Sequence, residues 1–241
     1  MKNRFNLRLQ AIALAAGSLL AFQAQAGDAL TDAMQAAYAP YRVALFKTNG
    51  ESQDESQQAI KQAQEAWAKL SNQFAAKAPA PYDRDTALAT SLSDVSKVYA
   101  KASEQVNAKQ LAAAHETLEA ARDIMAEMRH RNNVVVFSDH MNAYHSEMEK
   151  LLIEGPKTLT KAHGMHLLSA QAGVLAYLSK RLTSEAPANL NGNAEFRKLV
   201  IAVDQSIAAL QAALLTDNFD AVKDAMSKVK KPYSQLFLKF G

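Results

Sequence analysis

Apolar residues recur along this chain at steps of three and four, which is the spacing of one face of an α-helix. A clear example is the stripe formed by Ile60, Ala63, Trp67, Leu70 and Phe74. Glycine and proline are scarce, with 8 and 6 residues among 241, so few positions interrupt the pattern. The pattern predicts an all-α fold.

Segments rich in turn-forming residues divide the helical pattern at Asn49-Gly50, 78–81, Gly155-Pro156 and 187–193. The intervening segments predict about eight helices, at residues 29–48, 54–77, 84–107, 109–131, 134–153, 158–184, 194–215 and 218–239. Helices four and five either break near Asn132-Asn133 or continue as one helix. We expect Pro40 and Pro232, which lie inside two of the helices, to kink them.

The second half of the chain resembles the first at an offset of 108 residues. Leu70-Ser71 recurs as Leu178-Ser179, and Ala78-Pro79-Ala80 recurs as Ala186-Pro187-Ala188. This similarity predicts a tandem duplication with one helical unit at residues 27–133 and another at 134–241. Short loops favour antiparallel neighbours, so each unit is predicted to be an up-down-up-down four-helix bundle. A single intertwined eight-helix assembly is the alternative.

Residues 1–26 have the pattern of a secretory signal peptide. The basic residues at its start are Lys2, Arg4 and Arg8. A mostly apolar run at 9–22 follows, and Ala24-Gln25-Ala26 supplies small residues for cleavage. The run is shorter than the roughly 20 residues of a membrane-spanning helix. We therefore expect export to a bacterial periplasm with Gly27 as the first mature residue, and an uncleaved anchor is the alternative.

Charge and cysteine content exclude several classes of function. Without Lys2, Arg4 and Arg8 the chain has 24 basic and 24 acidic residues, which argues against nucleic-acid binding. The chain has no cysteine, so disulfides, iron–sulfur clusters, a thiol nucleophile and covalently attached haem are excluded. There is no glycine-rich phosphate loop and no evident catalytic triad, so we expect neither nucleotide binding nor an enzyme.

Histidines concentrate in the second unit. Four of the six lie between residues 140 and 166, and the matching positions of the first unit contain none. If helices five and six form a hairpin around Gly155-Pro156, then His145 faces His166 and Met148 faces His163. Each helix contributes an i,i+3 pair that shares one face. His140 lies on a more polar face, and we expect His115 and His130 on the surface.

This arrangement predicts a metal site whose ligands are His145, Met148, His163 and His166, completed by Glu149 or Met141. Imidazole and thioether donors favour copper, with iron or zinc less favoured, and exclude a hard site for calcium or magnesium. The alternative is that Met141 and Met148 belong to the core stripe and that the histidines are solvated.

The last helix, which contains Asp220-Ala-Val-Lys-Asp-Ala-Met226 and Lys231-Pro232-Tyr233, resembles the fourth helix of periplasmic cytochrome b562-like bundles. Met34 lies where that family places its methionine ligand. The resemblance implies a periplasmic four-helix bundle. The haem-binding histidine of that family falls at Ser234 here, so we do not expect haem.

Gly164-Met165-His166 resembles the Gly-x-His-x-x-Glu motif of imelysin-like periplasmic iron-uptake proteins, which also contain duplicated helical bundles. Ser169 occupies the glutamate position of that motif. The resemblance implies the same architecture and compartment, and it implies iron as a possible ligand.

Three functions follow from these observations. The favoured one is an exported protein that binds a transition metal, with copper first, for carriage, buffering or sensing, together with a periplasmic or inner-membrane protein partner. The second is a metal-free periplasmic interaction or scaffold protein. The third is an electron-transfer protein with a non-covalent b-type haem.

Overall fold

The computed structural model describes residues 28–50, 52–216 and 218–241, and the regular elements within them are all helical. The predicted all-α fold is therefore confirmed. The predicted signal peptide at residues 1–26 lies outside the described residues. Within the described ranges, no helix combines the length and apolar character that crossing a membrane requires.

The helices pack as two rings of four. The first ring contains α1 (Ala29–Thr48), α2 (Gln53–Phe74), α3 (Leu88–Asn107) and α4 (Leu111–Arg131), and each helix contacts the next, with α4 returning to α1. The second ring contains α5 (Phe137–Leu159), α6 (Gly164–Ser184), α8 (Ala194–Leu214) and the consecutive pair α9 (Phe219–Ser227) and α10 (Lys230–Phe240). A 3₁₀ turn at Tyr82–Arg84 and the short α7 (Ala188–Asn191) lie in the connections. We call the two rings the first and second units.

Helix bounds in the two units follow the 108-residue offset. Shifting α1 by that offset gives residues 137–156, and α5 spans Phe137–Leu159. The other helix pairs agree equally closely. The duplication itself remains a prediction.

The predicted turn at Gly155-Pro156 is wrong, because α5 continues through both residues to Leu159. Gly155 is buried against α9, where a Cβ atom would lie 2.5 Å from the sulfur of Met226. The glycine therefore permits close helix packing and does not form a turn. Pro156 is exposed and lies within the last turn of the helix.

The connection between α5 and α6 instead spans residues 160–163. His163 has a left-handed backbone with φ of 60°. A Cβ atom on the adjacent Gly164 would clash with the carbonyl oxygen of Thr158 and would lie 3.0 Å from that of Leu159. This tight turn therefore depends on glycine at position 164.

The structure also decides whether predicted helices four and five are continuous. Helices α4 and α5 are separate, because Asn133 has φ of 57° and the Val134 amide donates to the carbonyl of Arg129 at 3.0 Å, which ends α4.

The predicted eighth helix is divided into α9 and α10. Pro232 is the third residue of α10, where a missing amide proton breaks no intrahelical bond.

Aromatic side chains fill the core and the contact between the units. The predicted stripe on α2 is buried, and the indole of Trp67 donates to the carbonyl of Leu92 at 3.0 Å. Tyr38 of the first unit donates to the side-chain oxygen of Asn142 in the second at 3.2 Å. Its ring lies 6.3 Å from that of Phe237 on α10. The units therefore share a packed interface formed by α1, α4, α5 and α10.

Two glycines of α6 should respond in opposite ways to alanine. We expect Gly164→Ala to lower the free energy of unfolding by about 2–3 kcal/mol, because the added methyl group meets fixed backbone. Gly173→Ala should raise it by about 0.5–1 kcal/mol, because no atom lies within 4 Å of that Cβ and alanine favours helix. Urea denaturation measures the free energy of unfolding of each variant. Equal changes in the two variants would contradict the turn geometry.

Candidate metal centre

Two histidine–glutamate pairs with the same spacing lie on α4 and α5. His115 and Glu119 are four residues apart on α4, and His145 and Glu149 are four residues apart on α5. Residues at this spacing share one face of a helix. Each helix therefore presents one imidazole and one carboxylate together.

The connection between the helices brings the pairs together in mirrored order. Asn132 lies midway in sequence between Glu119 and His145, and also midway between His115 and Glu149. When the chain reverses at Asn132, each histidine comes opposite the glutamate of the other helix. The two pairs can therefore converge on one point between the units.

Three ligand atoms meet there. The Nε2 atom of His145 lies 3.3 Å from Oε1 of Glu119 and 3.6 Å from Oε2 of Glu149. Each of the three residues offers one ligand atom, and these atoms all lie within 4.8 Å of one another. Among the described residues, this is the group of three or more histidine or acidic side chains close enough to share a metal ion. The side chains are 13%, 25% and 29% exposed for His145, Glu119 and Glu149, so water can reach them.

His115 is placed to act as a fourth donor. Its Nδ1 atom lies 3.0 Å from the carbonyl oxygen of Leu45 and 3.4 Å from the hydroxyl of Thr48. The carbonyl can only accept, so Nδ1 carries the proton and Nε2 keeps its lone pair. That Nε2 atom lies 4.0 Å from Oε1 of Glu119. A backbone carbonyl that fixes the tautomer of a histidine is the usual support of a metal ligand.

A small cavity adjoins these side chains. It measures about 40 Å³, and His115, His145 and Glu149 line it together with apolar residues such as Phe46 and Tyr233. A water molecule needs roughly 10–15 Å³ of such space. The cavity therefore has room for a metal ion and a few water ligands.

The electrostatics keep Glu119 and His115 in the forms that bind metal. The hydrogen bond with His145, aided by the charge of Arg122, lowers the pKa of Glu119 to about 2 although burial opposes the shift. Burial lowers the pKa of His115. Glu119 is therefore ionised and His115 neutral at neutral pH, as metal coordination requires. The Arg122 guanidinium lies 3.5 Å from Glu119 and competes for its carboxylate.

The predicted ligands do not all lie together. His145 and Glu149 belong to the group, and Met148 is fully buried beside the cavity. His163 and His166 are exposed at the turn between α5 and α6, with their rings 6.1 Å apart.

Helix length explains why those two histidines lie elsewhere. Leu159 ends α5 and lies 14 residues beyond His145, which corresponds to about 21 Å along the axis. The expectations that His145 faces His166 and that Met148 faces His163 are wrong, because both depended on a turn at Gly155-Pro156.

His115 and Glu119 were not among the ligands predicted from the sequence, and the prediction for His115 was also wrong. It placed His115 on the surface, but that side chain is only 21% exposed. The signal was present in the repeated His-x-x-x-Glu spacing and in its symmetry about Asn132. Applying the hairpin argument to this boundary would have identified both residues. His130 is exposed, as expected.

Comparisons of the chain with protein-family models, with curated proteins and with solved structures found no match. The resemblances to cytochrome b562-like and imelysin-like proteins therefore remain predictions.

The low pKa of Glu119 should make its contribution to stability depend on pH. A glutamate in the unfolded chain titrates near 4.3, so the ionised side chain stabilises the fold above that pH and loses its effect as the pH falls towards 2. We expect Glu119→Gln to lower the free energy of unfolding by about 1–2 kcal/mol at pH 7, and the difference from the wild type to shrink below pH 4. Denaturant unfolding between pH 2 and pH 7 measures this difference in free energy, and Glu116→Gln at an exposed position is the control. A pH-independent difference would contradict the ion pairing.

Proposed function

We propose that this protein binds one divalent transition-metal ion between its two units, through His115, Glu119, His145 and Glu149. The observation that carries the proposal is the convergence of Glu119, His145 and Glu149 at one partly buried point beside a cavity. The Nε2 atom of His115 lies 4.0 Å from Oε1 of Glu119. Facing helices of a bundle commonly supply metal ligands in this way. An ion there would link α4 of the first unit to α5 of the second.

The donor set bears on which ion binds. Imidazole and carboxylate suit Cu(II), Zn(II) and Fe(II), whereas Cu(I) prefers thioether. Met148 lines the same cavity, so Cu(I) would need that sulfur. Copper remains our first candidate in its divalent form, since Cu(II) binds most tightly among these ions at a site with nitrogen and oxygen donors. Zinc and iron follow.

We further propose that the ion is carried, buffered or sensed rather than used in catalysis. Three of the four side chains, His115, His145 and Glu149, line a cavity of about 40 Å³, which leaves little space for a substrate beside the ion. Haem is far larger than this cavity, so we do not carry the haem alternative forward.

A metal-free interaction protein is the second candidate. The favouring observation is that Glu119 already has two partners, His145 at 3.3 Å and Arg122 at 3.5 Å. Such an ion-pair network can hold the units together without a metal. Metal titration separates the two candidates.

Two matched double variants test the metal site. We expect His115→Gln/His145→Gln to weaken binding of Cu(II) and Zn(II) by more than about 100-fold, because the loss of supporting residues alone costs 10–100-fold. His163→Gln/His166→Gln should bind like the wild type, because those residues lie at the other end of α5. Isothermal titration calorimetry with Cu(II), with Zn(II) and, without oxygen, with Fe(II) gives the affinities.

The outcome decides between the sites. If the His163/His166 variant loses binding and the His115/His145 variant keeps it, the proposed site is wrong. If the wild type takes up none of these ions, and none raises its melting temperature, the metal-free candidate is supported, because an ion bound to the native state must stabilise it.

We also propose export to the periplasm, on the basis of the pattern at residues 1–26. Expression of the full chain in a Gram-negative bacterium should yield a periplasmic protein whose intact mass corresponds to a start at Gly27. Replacing Lys2, Arg4 and Arg8 with glutamine should retain the precursor in the cytoplasm. A wild-type protein that stays cytoplasmic with its first 26 residues attached would contradict export.

A further inference from the structure

A second cavity lies at the same interface, nearer the start of α5. It measures about 340 Å³ and is bordered by α1, by the first residues of α5, by the segment around α7 and by the end of α10. A volume of this size falls within the range of small-molecule sites. It shares no lining residue with the cavity of the metal centre.

Arg42 on α1 lines this cavity and has no counter-ion among the described residues. No Asp or Glu oxygen of the described chain lies within 4.0 Å of its guanidinium nitrogens. One terminal nitrogen donates to the carbonyl of Phe237 at 3.2 Å, and Nε is sealed from solvent without a hydrogen-bond partner. Burial lowers the pKa of Arg42. A guanidinium withdrawn from water without an anion destabilises the fold.

The other cations of the cavity are already paired. Arg129 forms an ion pair with Asp139, and Lys239 forms one with Glu195. Arg42 is therefore the cation that lacks an anionic partner.

Apolar side chains form about half of the lining. The apolar residues are Met34, Val136, Phe137, Leu190 and Phe240. An inorganic anion would satisfy Arg42 but would leave these side chains around empty space or water. A ligand with an anionic group and an apolar body would satisfy both.

We infer that this cavity binds a small organic carboxylate, with its carboxylate on Arg42 and its apolar body against Phe137, Leu190 and Phe240. The site is independent of the metal centre and does not rest on the proposed function. The ligand class follows from one guanidinium without an anionic partner and from the apolar side chains that share its cavity of about 340 Å³.

The test uses 4-fluorobenzoate as the probe, observed by ¹⁹F NMR and titrated by calorimetry on the full mature chain. We expect a Kd of about 1 mM or tighter. Arg42→Gln should weaken binding by about tenfold or more, the range expected for losing a hydrogen bond to a charged group. The neutral isostere 4-fluorobenzamide should bind at least about tenfold more weakly to the wild type. Arg181→Gln is the control, because that arginine lies outside the cavity and pairs with Glu185 on α6.

A second variant tests the site in case Arg42→Gln fails to fold. Gln35 is exposed at the edge of the cavity, so Gln35→Glu should fold normally and weaken binding of 4-fluorobenzoate by charge repulsion. The melting temperature of Arg42→Gln should not fall below that of the wild type, because the substitution removes an unpaired charge. A fall would show that Arg42 serves stability.

Three further results would overturn the inference. They are no binding of 4-fluorobenzoate to the wild type, equal binding by wild type and Arg42→Gln, and equal affinity for 4-fluorobenzoate and 4-fluorobenzamide. If inorganic phosphate binds as tightly as 4-fluorobenzoate, the inference that the cavity recognises an apolar body is wrong, and the site binds oxyanions in general.

Discussion

The buried ion pair between Arg129 and Asp139 is the constraint on which the interface between the units depends. Arg129 lies at the end of α4 and is 2% exposed, and Asp139 lies in the first turn of α5. Asp139 also accepts a hydrogen bond from the Val136 amide at 2.9 Å, so it holds the start of α5 as well as the end of α4. Removing either partner would leave a buried charge, which is strongly destabilising. The pair thereby fixes the register in which Glu119 meets His145.

Helices α1, α4, α5 and α10 line both cavities, which lie at two heights along α5. The proposed metal centre lies where α4 and α5 carry their His–Glu pairs, and the Arg42 cavity lies about 15 Å further along α5, towards its start. Between the two levels, tyrosine hydroxyls bind across the helices: Tyr38 to Asn142, and Tyr233 to the carbonyl of Met141 at 2.9 Å. Polar side chains therefore link the two units, and a large cluster of apolar side chains fills their interior.

The sequence predicted what depends on local pattern and missed what depends on distant partners. The stripe from Ile60 to Phe74 and most helix bounds follow from spacing and loop residues, and the structure confirms them. Gly155 was misjudged because its packing partner Met226 lies 71 residues later in the chain. His115 was misjudged because burial and a carbonyl of α1 determine its role, and neither is visible in its neighbours. Two of the four proposed donors, His145 and Glu149, were identified from sequence.

The position of the proposed metal centre at the contact between the units has a consequence for the order of folding. The first unit contributes His115 and Glu119, and the second contributes His145 and Glu149. Tyr233 and Phe237 of α10, which close one side of the cavity, are synthesised after all four proposed donors. Domains generally fold as units, N-terminal first, so the first unit can form while the cavity is still open. The four donors are therefore present before α10 docks, and the cavity beside them closes only when it does.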